Sequence, residues 1–525
     1  MSAIAIDFGT SNTVIARWNP ITQVAEIIRL PEISLQAEPN PALVPSLVYV
    51  VDAARPELLI GQAVRDRGLD ISNDLRFFRS FKRGIGSEVE GFLPQLDGQE
   101  VTFKQVGQWF LTQVIEQLET TDLILTVPVD SFEAYRHWLA GVCDGLAIEK
   151  VRLIDEPTAA ALGYGQASDQ PILVFDFGGG TLDMSLVKLE AAVQKNPFGL
   201  ILKWGEKSAQ DLAKQKTRTA RVLAKAGYNL GGTDIDNWIV DFWQNTRGIA
   251  KTALTTRLAE KLKIELSQSS QAEEVYFDEA SFTSYELKLD RAQLMAILKE
   301  RGFFQQLDKT MSQLLQQARR QGVEPQDIGR VLLVGGTTQI PAVRQWLEEY
   351  FPPAKISADQ PFTAIAQGAM QLQKGITIQD FLYHSYGIRY WDRRANRHNW
   401  HTLISAGQPY PMPQPVELLL GASLANQPSI ELVIGELGVE NNRTEVYFEG
   451  DHLVTKPIQG STEVRPLNDS PTSRSIAVLD PVGNPGSDRI KVLFQVDAQC
   501  CLRITVQDLL TGQTLLDQQP VVRLQ

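Results

Sequence analysis

A two-lobed α/β domain followed by an all-β module is the fold class this sequence predicts. Three observations carry that expectation. Buried strands and helices alternate through roughly the first 376 residues, the pattern of a layered α/β domain. Within that stretch one local grammar occurs twice. An apolar run from Leu173 to Phe177 contains Asp176 and opens into Gly178, Gly179, Gly180 and Thr181, with Asp183 two residues on. The run from Ile4 to Phe8 likewise carries Asp7 and opens into Gly9, Thr10, Ser11 and Asn12. Glycines without Cβ let backbone N–H groups approach an anion closely, which is how such turns cradle phosphates. Two of them in one chain suggest related lobes facing one phosphate chain across a cleft. The third observation is a change of texture at Gly375, after which about 140 residues alternate with period two between Pro, Gly and Asn turns.

A chain of 525 residues exceeds what one core usually serves, in keeping with two or more domains. The net charge of −12 argues against general affinity for nucleic acid. Three cysteines, two of them adjacent (Cys500 and Cys501), make no disulfide framework and suit a reducing cytoplasm. Cys143 reads as a small buried hydrophobe. The N-terminus enters a strand almost at once, and no apolar run nears the ~20 residues of a membrane span. A soluble cytoplasmic protein without membrane contact is the expectation.

In chain order, the residues from Val44 to Val51, entered through Pro45, read as an edge strand. The stretch from Arg76 to Gly84 is basic and aromatic: either a solvated helix end or a segment that delivers a cation into the cleft. Val106 to Leu118 has helical spacing, the strand from Leu123 is halted by Pro128, and Phe132 to Leu146 reads as a helix. Another strand ends in Asp155 and Glu156, and Pro157 suits the start of an alanine-rich helix. Ligands of such sheets collect at the carboxyl ends of strands, where Asp7, Glu156 and Asp176 fall.

Between Val187 and Tyr228 the rhythm weakens, and from Lys203 to Lys225 seven basic residues face two acidic ones. That segment reads as a solvated helical hairpin, a mobile insert, or a docking patch for an acidic partner. Gly231 and Gly232 form a turn opening a helix, and Glu260, Lys263 and Ser267 share one side of a later helix. Strand, Gly335-Gly336 and hydroxyls then recur, with a backbone that could approach a flat ring or a ribose. Beyond Gly375, strands are expected at Val416 to Leu420, Ser429 to Ile434, Thr444 to Phe448, Ile490 to Val496 and Cys501 to Val506.

Taken together these motifs resemble the DnaK-type seventy-kilodalton heat-shock chaperones, and in the family's order. The resemblance implies a two-lobed actin-like ATPase domain at residues 1–376, with an insert near 193–226. It further implies an interdomain linker at 377–384 and a β-sandwich peptide-binding domain at 385–525. Asp7, Gly9, Thr10, Ser11 and Asn12 match the family's first phosphate loop, and Gly178, Gly179, Gly180 and Thr181 the second. Lys82 matches the lysine needed for hydrolysis, and Glu156 and Pro128 match residues that relay nucleotide state, with Arg136 sensing it. Glu260, Lys263 and Ser267, together with Gly335 and Gly336, match the adenosine clamp.

The implied cofactors are ATP/ADP and Mg²⁺, the metal held largely through water by Asp7, Asp176 and Asp183, with K⁺ a candidate further ion. Lys82, Glu156, Asp176 and Thr181 would be the catalytic group of an ATPase of slow turnover. Implied partners are unfolded or extended polypeptides, J-domain cochaperones through a surface that keeps Arg152, and nucleotide-exchange factors. Ile388, Leu418, Ile430 and Leu432 are candidates for a peptide groove, with sandwich core the favoured reading of each. Departures are informative as well. Gln339 stands where the family has an adenine-stacking arginine, Phe362 replaces an acid, and the connector lacks its second acid. The family's helical lid would begin past residue 525, so a lidless chaperone with fast peptide exchange is expected. An alternative is a nucleotide-binding cochaperone, an exchange factor or holdase, with little ATPase activity.

Overall fold

The structure is a computed structural model. It describes residues 3–35, 40–85, 89–90, 93–128, 132–143, 146–165, 170–191, 218–278, 281–374, 382, 385–392, 397–405, 408, 410–440, 443–449, 452–458, 462–469, 475–498 and 500–524. The chain divides into two units. One runs to residue 377 and also contains residues 443–458; the other consists mainly of 378–442 and 459–525.

The first unit is built on two sheets with the same plan. In one, Ile4–Phe8 lies parallel to Asp122–Val127 and antiparallel to Asn12–Asn19, with Lys150–Asp155 and Val24–Ile27 outside them. In the other, Ile172–Phe177 lies parallel to Arg330–Val334 and antiparallel to Leu182–Ala191, with Arg218–Tyr228 and Ile356–Ser357 outside. Apart from its one acid, each central strand is apolar because both its faces are covered, which is why these strands read as runs rather than as alternation. Separate cores lie on the two sheets, one around Ile6, Phe110 and Leu123, the other around Phe177, Trp243 and Leu262. In both sheets the first strand of the hairpin delivers its acid to the same edge, since the pair Asp7↔Val14 and the pair Asp176↔Asp183 occupy equivalent places just before the turn.

Three expectations about this unit change. Leu47–Asp52 is the middle strand of a three-stranded sheet, not an edge. Pro45 is tolerated because it precedes that strand, in the short Val44–Pro45 piece paired with Asn12–Asn19. Residues 218–226, assigned above to the insert, belong to the strand Arg218–Tyr228. That strand alternates, with Ala224 and Ala226 packed on the core of its sheet. Charged residues on the opposite face had masked the period. The rest of the insert, 193–217, lies outside the described residues. Residues 443–458, expected in the β-module, pair as a hairpin, and Arg443–Glu449 runs parallel to Val89–Glu90 of the first unit.

The second unit is all β. One sheet has the order Arg397–Ile404, Ser385–Asp392, Ile434–Glu440, Thr462–Pro466, and another the order Val416–Gly421, Asp488–Val496, Cys501–Asp508, Thr514–Arg523. Their inner faces share one core that includes Tyr386, Ile434, Val492, Phe494 and Ile504, as in a sandwich. The predicted strand from Ser429 to Ile434 is in fact two, ending at Glu431 and resuming at Ile434. Buried Asn468 fills the break, accepting from Ile434 N–H at 2.7 Å and donating to Leu432 C=O at 3.0 Å.

The four groove candidates are corrected here. Ile388, Ile430 and Leu432 are buried core residues and Leu418 packs against that core, because Ile388, Leu418 and Ile430 fall on the inward face of their strands and Leu432 turns inward at the break. Of the predicted connector, Leu382 is described. It is buried in the same core, and its N–H donates to Gln408 C=O at 2.9 Å.

Candidate functional site

The two glycine corners meet. A Cβ on Gly179 would overlap the Ser11 hydroxyl, and one on Gly180 would lie 2.6 Å from the Thr10 methyl. Only a chain without side chains at these points lets the turns approach so closely. The first corner is pinned from behind by Ser46, whose hydroxyl donates to Gly9 C=O at 2.7 Å and bonds Thr13 at 3.0 Å. Thr181 closes the second, its carbonyl accepting from Gly178 N–H at 3.1 Å. Next to it lies the 231–232 turn, where Gly232 N–H donates to Gly178 C=O at 3.1 Å and Thr233 N–H to Gly179 C=O at 2.9 Å. Gly335 has φ of +85°, a left-handed conformation that suits glycine. The Thr337 hydroxyl beyond it donates to Gly178 C=O at 2.7 Å. Sequence motifs separated by more than 300 residues thus line one corner of the first unit.

Acids gather around that corner. Lys82, on a single helical turn at Phe81–Gly84, donates to Glu156 Oε1 at 2.9 Å, both side chains about nine-tenths buried. Its ammonium also lies 5.7 Å from the Phe8 ring centre and 5.9 Å from that of Tyr135. Burial disfavours the ammonium, but Glu156, Tyr135 and Asp7 outweigh it and the Lys82 pKa is raised. Asp7 accepts from the Thr126 hydroxyl at 2.9 Å. Burial, reinforced by Glu156, lifts its pKa to about 7 in spite of Lys82. Asp176 is raised well above the usual range, by burial first and then by Glu156, Asp183 and Asp7. Such an arrangement holds more negative charge than it can neutralise, so it favours a cation. Among the described residues no three acidic, Cys or His side chains form a ready cage for a metal ion.

The clamp candidates are placed on two sides of this corner. Lys263 bonds Asp236 at 2.7 Å and Gly232 C=O at 2.8 Å, and burial raises Asp236 to about 6 against the pull of Lys263. Glu260 is held at 3.2 Å by Arg65 and at 2.9 Å by Arg257. Burial alone would raise its pKa, but these arginines and Lys263 bring it down to about 2. Ser267 caps the helix Ala253–Leu266, and Gln339 lies in the turn after Gly335, its amide donating to Thr338 at 3.3 Å. A Cβ on Gly336 would lie 3.2 Å from the Phe362 ring, so that aromatic sits against the third turn.

Three functional residues escaped the sequence reading. Arg83 donates to Gly180 C=O at 3.0 Å and to Asp234 at 2.5 Å, tying the second glycine corner to the 231–232 turn. Asp234 also accepts from Gly231 N–H at 2.7 Å. A usable signal existed in Asp234 standing three residues after Gly231, the place from which an acid can accept from the backbone N–H that opens a helix. Arg65, which pairs with Asp70 at 3.9 Å as well as with Glu260, had no local signal. Pro128 lines a cavity with Glu156, Asp176 and Asp183. Arg152 bonds Asp122 at 2.7 Å and reaches Leu372 C=O at 3.5 Å, near the end of the first unit. The side chain of Arg136 lies outside the described residues.

A family model described as "Hsp70 protein" matches residues 95–195 and 219–395. The "Chaperone protein DnaK" of Thermotoga neapolitana is 29% identical over 392 residues, covering 70% of this chain and 58% of its own length. For the "Chaperone protein dnaK1" of Synechocystis the identity is 28% over 450 residues, covering 79% and 56%. The DnaK of Elusimicrobium minutum is 29% identical over 401 residues, covering 72% and 58%. This chain therefore spans less than two thirds of the length of the curated relatives it matches.

Proposed function

The chain belongs to the Hsp70 family, and from that premise we propose that its first unit binds and slowly hydrolyses ATP while the β unit holds extended polypeptide with nucleotide-dependent affinity. The contact between the two glycine corners, with Lys82, Glu156, Asp7 and Asp176 gathered around it, is the observation that carries this reading.

The residues fit a magnesium nucleotide. Backbone N–H groups of the two corners would take the phosphates, Asp7, Asp176 and Asp183 the hydrated metal, and Lys263 with the 335–336 turn the nucleoside. Mg²⁺, when bound, neutralises charge on the phosphates. What the chain itself supplies is position and fixed charge, the main requirements of phosphoryl transfer to water. Lys82 offers a compact cation held between two rings, and Glu156 keeps it aimed. Arg83 holds the second turn in shape while Arg65 and Glu260 brace the far wall.

In the β unit the apolar surface open to a polypeptide is not the set inferred from sequence. Leu424, Val478 and Val482 are exposed at 69%, 74% and 43%, around the paired strands Gln427–Glu431 and Ser475–Gly483. Exposed aliphatic side chains beside a sheet are suited to an extended segment that adds main-chain hydrogen bonds. Arg152, bonded near the end of the first unit, supports a route by which a J-domain partner could influence the nucleotide. Cys143, Cys500 and Cys501 are thiols rather than disulfides, which supports a reducing cytoplasm. Gln339 favours a second reading, a cochaperone that binds nucleotide without turning it over. Single-turnover hydrolysis, with Lys82→Ala as the control, separates the two. Peptide release with and without ATP tests the coupling, and equal release under both conditions would sink it.

A further inference from the structure

One aromatic side chain behind the acid corner meets Lys82 at both its ends. Tyr135 lies on the helix Phe132–Cys143, where Tyr135, Leu139 and Val142 recur at helical spacing and are buried in the core of the first sheet. Its hydroxyl donates to Lys82 C=O at 3.0 Å, and its ring centre lies 5.9 Å from the Lys82 ammonium. The tyrosine therefore runs alongside the lysine, hydroxyl to main chain and ring to charge. Phe8 adds a second ring at 5.7 Å. Trp138 ties the two rings together, stacked on Phe8 at 6.0 Å and edge-on to Tyr135 at 5.6 Å. Its own indole N–H donates to Lys104 C=O at 3.1 Å.

The turn that carries Lys82 needs such a hold. It is entered through Ser80 at φ +55°, a left-handed conformation that a residue with a side chain keeps only where its surroundings enforce it. Lys82 C=O accepts from Ile85 N–H at 3.0 Å within this short turn, and Tyr135 supplies a second hydrogen bond from another element. The lysine stem is flexible and its ammonium is a point charge. Glu156 fixes the tip by pairing with it, which also offsets its charge. A ring face attracts the ammonium without bringing a counter-charge, so it orients the lysine and leaves its positive charge available to a phosphate.

We propose that Tyr135 is a positioning residue for Lys82, holding its main chain through the hydroxyl and its ammonium through the ring, so that hydrolysis depends on Tyr135 and nucleotide affinity does not. The same stretch of chain reaches the corner at two other points. Thr126 donates to Asp7, and Pro128 lines the cavity beside Glu156. As far as it concerns hydrolysis, the inference rests on the reading proposed above.

The test uses the full chain with Tyr135→Phe and Tyr135→Leu, each alone and combined with Lys82→Ala. The first readout needs no nucleotide. In protein isotope-labelled at lysine Cε, the magnetic resonance signal of Lys82, assigned by its loss in Lys82→Ala, should lie upfield of the other lysines because of the two rings. Tyr135→Phe should keep that shift and Tyr135→Leu should lose much of it. Single-turnover hydrolysis should fall about two- to fivefold in Tyr135→Phe, the scale of one hydrogen bond. In Tyr135→Leu it should fall about 10- to 30-fold, the scale of one desolvated cation held over a ring. Affinity for MgADP should stay within about twofold in both. Beside Lys82→Ala, Tyr135→Leu should cost nothing further, whereas a purely structural role would cost the same with or without the lysine. A Lys82 signal among the other lysines, undiminished hydrolysis in Tyr135→Leu, or an equal further loss beside Lys82→Ala overturns the proposal. Should Tyr135→Leu fail to fold, the shift in the unsubstituted protein and its retention in Tyr135→Phe decide. The expected shifts in a protein that hydrolyses no ATP would uphold the hold of Tyr135 on Lys82 and refute the nucleotide reading.

Discussion

Two buried charge clusters, one in each unit, are built on opposite principles. In the β unit Arg489 meets Asp508 through two hydrogen bonds of 3.0 and 2.7 Å, and Asp508 also accepts from the N–H groups of Leu510 and Thr511. Every charge there has its partner, and hydrogen bonding from Arg489 holds the Asp508 carboxyl down at about 2. The corner of the first unit is left out of balance. Burial and neighbouring acids push Asp7 up to about 7 and Asp176 well above its usual range, with Lys82 already engaged by Glu156. A closed pair stabilises the fold by itself, whereas crowded carboxylates cost the fold something that a cation relieves. The contrast separates a structural cluster from one shaped for a ligand.

The comparison breaks most visibly at Arg489. Arg489→Met should cost the β unit about 3–5 kcal/mol by leaving the buried Asp508 carboxylate without its cation. Hydrogen exchange in the strands Asp488–Val496 and Cys501–Asp508 would report it, and the paired variant Arg489→Met with Asp508→Leu should recover most of the loss. In the first unit, Lys82→Ala should lower single-turnover hydrolysis by about 100-fold or more, the scale of one lost charge at a reacting phosphate. Unchanged turnover would remove Lys82 from the chemistry.

Smaller effects sharpen the contrast. Asp176→Asn should stabilise the nucleotide-free protein, because burial and the neighbouring acids penalise the charged form of Asp176, while weakening its hold on MgADP. A melt that drops instead would mean that the carboxylate is already compensated. The pH responses should have opposite signs. A lowered carboxyl adds stability that is complete above its ordinary value of 3.8 and lost as pH falls toward 2, so the β unit should weaken in acid. A raised one holds its proton more tightly when folded, so Asp7 should make the first unit less stable as pH rises from 3.8 toward 7. Unfolding followed separately in the two units from pH 3 to 8 would check both signs, with Asp508→Asn and Asp7→Asn as controls. Smallest of all, Gln339→Arg should tighten adenine nucleotide binding by about two- to fivefold through a cation beside the base, as measured by fluorescence titration.

Local patterns in the sequence determined the alternation of strand and helix in the first unit, the two acid-and-glycine corners and the all-β texture after Gly375. Each depends on contacts within a few residues, and so is written in periodicity and turn composition. Tertiary structure decided the rest. It brought Lys82 onto Glu156 and Arg83 onto Gly180, and it buried Ile388, Ile430 and Leu432 where an open groove had been one reading. It also turned Lys225 from the end of a basic stretch into a residue lining one cavity with Glu156, Asp176 and Asp183. These outcomes rest on register and on pairings between distant segments, and a one-residue shift would carry such side chains to the opposite face. No composition or spacing along the chain specifies which strand lies alongside which.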